Sequence, residues 1–111
     1  MIQTTVFKKS TDSGNDLYCG IVIKGHAGYA EEGEDIICAA VSVLTVNAVN
    51  SIEQFTEDHF SAKQGDGLLS CMVDEPVSKE TQLLLNSMIL GLQDIQENYG
   101  REYLQLIFEE V

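Results

Sequence analysis

Two residues in this chain can be brought together as a nucleophile and its base. His26 sits in the glycine-punctuated stretch Gly25-His26-Ala27-Gly28, and Cys38 sits near the start of the uncharged, apolar run Ile36 to Ile52. A thiol attacks as its thiolate, and both a helix N-terminus and a nearby imidazolium favour that form. Cys38 follows Asp35 by three residues. If Asp35 caps a helix, Cys38 lies in its first turn, where unpaired amides and the positive end of the macrodipole stabilise an anion. The alternative reading of Cys38 is a small buried hydrophobe among apolar neighbours. His26 is either a solvated loop histidine or the base, reaching the helix start across the loop Gly28 to Glu34.

Asp35 and Ser42 lie three residues before and four after Cys38, which places all three on one helical stripe. Asp35 can cap the helix or orient His26. Ser42 can donate a hydrogen bond near the thiolate or an oxyanion, or bond back to its own helix. Backbone amides at the helix start are the expected oxyanion donors. His59 has no cysteine or carboxylate at ligand spacing, and Cys19 and Cys71 occupy apolar strand positions, so all three read as structural. No glycine run resembles a phosphate loop. Three cysteines at irregular spacing, with no CxxC pair, argue against a disulfide framework or a zinc site. Free thiols, no metal and no cofactor are expected.

The elements that must position these residues follow from periodicity. Ile2 to Lys9 reads as a strand and Ser10 to Asp16 as a turn; Leu17 to Lys24 reads as a second strand with Leu17, Cys19, Ile21 and Ile23 on one face. The two strands form a hairpin, and His26 lies just beyond it. Ile36 to Ile52 is too short and too polar for a membrane span and reads as a buried helix, apolar on most sides and therefore covered on more than one. His59 to Lys63, the Gln64-Gly65-Asp66-Gly67 turn and Leu68 to Val73 form a second hairpin, which Pro76 stops. Ser78 caps a second helix carrying Leu84, Leu85, Met88, Ile89, Leu92 and Ile95 at helical spacing, ending near Gly100 in a left-handed cap. Gly91 inside that helix costs about 1 kcal/mol relative to alanine, which close packing of the two helices at that point explains. Tyr103 to Phe108 is the last strand. The order ββαββαβ implies an α+β fold, a mostly antiparallel or mixed sheet packed against two helices.

A length of 111 residues suits one domain around one core. Six Lys plus Arg against 18 Asp plus Glu give a formal charge of -12. That field repels bare RNA or DNA over most of the surface, attracts a basic peptide or protein, and also simply aids solubility. Direct nucleic-acid and membrane partners are therefore not expected. Met1 to Lys9 lacks the charged and apolar regions of a signal peptide, which predicts a cytoplasmic location.

The run Gly25-His26-Ala27, then Gly33, then Asp35-Ile36-Ile37-Cys38-Ala39-Ala40-Val41-Ser42, strongly resembles the ribosomal-processing cysteine protease family Prp. The likeness extends over residues 1–111 in length and element order, with isoleucine at 37 where a valine is common. The resemblance implies a single cysteine protease domain that removes an N-terminal extension from a large-subunit ribosomal protein and so supports ribosome assembly. It implies Cys38 as nucleophile and His26 as general base and later acid, with Asp35 and Ser42 as further motif residues. It also implies a homodimer, and a loop here spanning Ala27 to Glu34, bearing Gly28 and Gly33, that orders when peptide binds. Two other readings of the same residues remain: a non-catalytic ribosome-assembly or adaptor protein holding a basic partner, and a redox-sensing thiol protein, which lacks an evident resolving cysteine.

Overall fold

Alternation along the strands and 3.6-residue spacing along the helices combine into two packed layers in the computed structural model, which describes residues 1–31 and 33–111. The elements are β1 (Ile2–Ser10), β2 (Asp16–Lys24), α1 (Ile36–Phe55), β3 (Phe60–Gly65), β4 (Leu68–Val73), α2 (Lys79–Tyr99) and β5 (Leu104–Glu110). The strands form one sheet in the order β3-β4-β2-β1-β5. β1 pairs parallel with β5, and the other three pairings are antiparallel, so the sheet is mixed. Both expected hairpins form, β1–β2 and β3–β4, and β4 then docks on the outer edge of β2.

One sheet face supplies the core. Ile2, Thr4 and Val6 of β1, Ile21 and Ile23 of β2, Leu69, Cys71 and Val73 of β4, and Leu104 and Leu106 of β5 are all buried. The helices answer with Ile37, Val41, Thr45, Ala48 and Ile52 from α1 and Leu85, Met88, Ile89 and Leu92 from α2. Leu17, expected on the buried face with Cys19, is 41% exposed. The register shifts between Phe7 and Lys8, so that Phe7 faces Gly20 but Lys8 faces Tyr18. That bulge inserts one residue into β2 and reverses the side-chain phase beyond it.

α1 is rich in valine and isoleucine, weak helix formers whose χ1 freedom a helix restricts, so tertiary packing rather than propensity holds it. It runs three residues past Ile52 to Phe55, where the Thr56 N–H and Oγ1 both donate to the Ile52 carbonyl at 3.2 and 2.7 Å. By length and composition it could cross a membrane, with a mean hydropathy of 1.6, but its buried stripe is the core of this two-layer packing. Cover on more than one side is only partly realised: sheet and α2 bury one stripe, while Ile36 and Val43 remain 53% and 68% exposed.

The contact expected at Gly91 is present. A Cβ built there would lie 2.8 and 2.9 Å from the two Leu44 methyls, so the helix-weakening glycine admits a side chain of α1. α2 starts as expected at Ser78, whose Oγ accepts from the Thr81 N–H at 3.2 Å. Asp58, just before β3, accepts from the Ser78 N–H at 3.0 Å and from the Ser78 and Thr81 hydroxyls. Burial raises the Asp58 carboxyl pKa, but these bonds and the His59 charge hold it below the usual range. At the far end, Gly100 has φ 109° and ψ 157°, a region open to glycine but outside the left-handed helical cap expected there.

Candidate active site

The local rule that places Cys38 is the helix cap. Asp35, with extended backbone at φ -81° and ψ 102°, accepts through Oδ1 from the N–H groups of Ile37 and Cys38, both at 3.0 Å. Its other oxygen turns outward and accepts from the Tyr29 and Ala30 N–H groups at 3.0 and 3.4 Å. One carboxylate thus ties the start of α1 to the loop that follows His26. Burial pushes the Asp35 carboxyl upward, but hydrogen bonds from Cys38, Tyr29, Ala30 and Ile37 outweigh it and hold the group below its ordinary range. Of the two roles open to Asp35 in the sequence, the cap is occupied, and the second oxygen serves the loop rather than the imidazole.

Cys38 is half-buried in the first turn of α1 and is a free thiol. Its Sγ accepts a hydrogen bond from the Ala27 N–H at 3.3 Å. That contact differs from the expectation that helix amides would serve the reacting centre. The Ile37 and Cys38 amides are already engaged by Asp35, so the N–H aimed at the sulfur comes from the residue after His26. Ser42 lies one turn on, exposed, and its hydroxyl makes no bond back to its own helix among the described residues. Thr45, by contrast, donates to the Val41 carbonyl at 2.8 Å.

β2 carries His26 to the same end of the sheet. The two chemistry-bearing side chains share two adjacent cavities, of 290 and 360 Å³. The first lies between α1 and the β3–β4 hairpin, over an apolar floor that includes Ile2, Ile23, Val41 and Leu69. The second lies between α1 and the loop, bordered by Gly28, Ala30, Gly33 and Asp35. His26, Cys38 and Ser42 line both, so an extended chain laid across them would pass the sulfur. Ala27 is 3% exposed and anchors the loop to the core. Tyr29 adds edge-to-face contacts with Tyr99 and Tyr103, with ring centroids 5.9 and 5.2 Å apart. Glu32, within the expected substrate loop Ala27 to Glu34, lies outside the described residues.

Sequence reasoning missed the hairpin tip. Gln64 to Gly67 is a turn by composition, yet Asp66 Oδ1 lies 3.5 Å from His26 Nε2. A Cβ on Gly67, whose φ is +63°, would lie 2.9 Å from the same nitrogen. The only signal was the Gly65-Asp66-Gly67 turn itself; its approach to His26 depends on β4 pairing with β2. Gly25, in contrast, was marked in advance. Its φ is +96°, and an added Cβ would meet the Met1 carbonyl oxygen at 2.4 Å, so neither the conformation nor the space admits a side chain. The residues read as structural stay away from the site: Cys19 and Cys71 are buried in strands, and burial pushes the Cys71 thiol to about 11. Among the described residues no group of three His, Cys, Asp or Glu could hold a metal.

The family model described as cysteine protease Prp matches residues 1–105. The ribosomal processing cysteine protease Prp of Staphylococcus aureus (strain Mu50 / ATCC 700699) is 32% identical over 82 residues, covering 72% of this chain and 77% of that protein. The protein of the same name from Bacillus subtilis (strain 168) is 30% identical over 105 residues, covering 89% of this chain and 90% of its own. A crystal structure of the essential ribosomal processing protease Prp from S. aureus, in complex with a covalently linked product peptide, superposes with a TM-score of 0.86. It is 29% identical and covers 98% of this chain and 100% of that one.

Proposed function

This chain belongs to the Prp family of cysteine proteases, and on that premise we propose that it removes the N-terminal extension of a large-subunit ribosomal protein, with Cys38 as nucleophile and His26 as base. The observation that carries the reading is the half-buried Cys38 thiol, bonded by the Ala27 N–H, in the wall of two cavities that His26 also lines. The peptide named with the S. aureus protease is covalently linked to it, which is the outcome expected of a thiol nucleophile.

The chemistry follows acyl transfer. Cys38 Sγ attacks the scissile carbonyl carbon, and its proton passes to His26. As the C–N bond breaks, His26 returns that proton to the leaving amine. Water then adds to the thioester carbonyl, giving its proton to His26, and the C–S bond breaks to release the new carboxylate and restore the thiol. The Ala27 N–H, 3.3 Å from the sulfur, is the backbone donor placed to act at this centre. Ser42 lines both cavities, its hydroxyl donates to no partner among the described residues, and it can donate to bound peptide.

A formal charge of -12, with Asp35 and Asp66 in the cavity walls, suits a basic substrate, and ribosomal proteins are basic. We place the enzyme in the cytoplasm as a homodimer; the helix layer leaves Val43, Leu83 and Leu90 at 68%, 71% and 62% exposure, apolar surface that a second copy would cover. Incubation of the protein, Cys38→Ala and His26→Ala with a peptide spanning the extension junction, read by mass spectrometry, tests the reading. Cleavage by the unmutated protein alone is expected. Equal cleavage by all three, or none by any, overturns it, and unaltered partner binding by Cys38→Ala without cleavage by the native chain favours the adaptor reading.

A further inference from the structure

The β3–β4 hairpin reaches the base of the dyad, not its nucleophile. Asp66 Oδ1 stands 3.5 Å from His26 Nε2, and the imidazole lies over Gly67, where a single added carbon would meet Nε2 at 2.9 Å. The tip is fixed at this place by backbone bonding. Lys24 of β2 pairs with Leu68 of β4, and the Gly25 N–H donates to the Gly67 carbonyl at 2.9 Å, so the residues flanking His26 and Asp66 are held together. Asp66 also lines both cavities that contain His26 and Cys38.

We propose that Asp66 is a positioning residue for His26: its carboxylate holds Nε2–H and leaves Nδ1 as the nitrogen that takes the proton from Cys38 and returns it to the leaving amine. The sequence offered Asp35 for the orienting role, but among the described residues its four hydrogen bonds go to backbone amides. The titratable groups that line the cavities with His26 are Cys38 from α1, Asp35 from the loop and Asp66 from the hairpin. Asp66 is the one within ion-pair distance of the imidazole among the described residues. An Asp–His contact of this kind fixes the tautomer. Because the side chains are 61% and 90% exposed, water screens the pair. Neutralising Asp66 is therefore expected to slow the reaction only about two- to fivefold.

The assignment rests on His26 acting as base, but its test does not require the ribosomal substrate to be right. With two histidines in the chain, the imidazole resonances of the free protein are assigned by His59→Gln and the tautomer of neutral His26 is read by nitrogen NMR, with and without Asp66→Asn. Asparagine suits the same turn position, so the hairpin is retained. The expected result is a neutral His26 protonated on Nε2 in the native chain, a loss of that preference in Asp66→Asn and its return in Asp66→Glu. Peptide cleavage adds a second readout: kcat falls about two- to fivefold in Asp66→Asn and recovers in Asp66→Glu. A neutral ring protonated on Nδ1, or an unchanged tautomer preference in Asp66→Asn, overturns the assignment. A purely structural hairpin would alter stability or KM and leave the tautomer alone.

Discussion

Asp35 holds two structures with one carboxylate, and replacing it separates them. Its Oδ1 caps α1 through Ile37 and Cys38, and its Oδ2 holds the Tyr29 and Ala30 amides. Loss of a helix cap costs about 1 kcal/mol, and two partly exposed charge-assisted bonds to the loop add about 1 kcal/mol together. Asp35→Ala is therefore expected to destabilise the fold by about 2 kcal/mol, lowering Tm by about 10 °C. Asp35→Asn should behave differently. Its carbonyl can still cap the helix, since Asn caps as well as Asp, but its amide NH2 then confronts the Tyr29 and Ala30 donors. Stability should fall by about half as much, while the loop is released and kcat/KM drops about tenfold, the effect of about 1.4 kcal/mol at the transition state. Acidification supplies a third check. The folded-state carboxyl titrates below its ordinary range, so its contribution is fully present above the unfolded value of about 3.9 and is lost as pH falls through the lowered folded value. The stability gap between the native chain and Asp35→Ala should be flat from neutral pH down to about pH 5 and close below about pH 4. Urea unfolding across this range and peptide cleavage at neutral pH measure all three. Native-like stability in Asp35→Ala, or full cleavage by Asp35→Asn, would refute the two-sided role.

Brief treatment of the folded protein with iodoacetamide, followed by peptide mapping, should label Cys38 and spare Cys19 and Cys71, which are 4% and 1% exposed; burial also keeps the Cys71 thiol protonated, near 11. Labelling of Cys71 as fast as Cys38 would contradict the burial argument. Gly91→Ala gains about 1 kcal/mol of helix propensity but drives a methyl to 2.8 Å from Leu44, and overpacking of this kind costs about 1–3 kcal/mol. The variant should be less stable than the native chain, and in a Leu44→Ala background the same substitution should become stabilising. Denaturant midpoints of the four proteins in this double-mutant cycle check both signs.

Much of this protein was legible in the linear chain because much of it is local. The alternation of β1 and β4, the 3.6-residue spacing of α2, the Ser78 cap and the Asp35 cap are set by residues within a turn or two of one another, and all of them form. The expectation at Gly91 also held, because a glycine inside a helix needs a neighbour to explain it, and Leu44 is that neighbour. Residue types and spacing offered His26 and Cys38 as a candidate base and nucleophile, and the resemblance to the Prp family named the reaction. What the sequence could not supply depends on distant pairings and on competition for hydrogen bonds. The β1–β2 bulge reversed the face of Leu17, because a one-residue insertion flips the side-chain phase and no composition rule marks it. The first-turn amides were expected at the oxyanion, but a carboxylate that must cap the helix reaches them first. Asp66 lies 40 residues from His26 in sequence and meets it only because β4 pairs with β2 and brings the hairpin tip over the end of that strand. Local interactions placed Cys38 and its helix; long-range strand pairing chose what surrounds the imidazole.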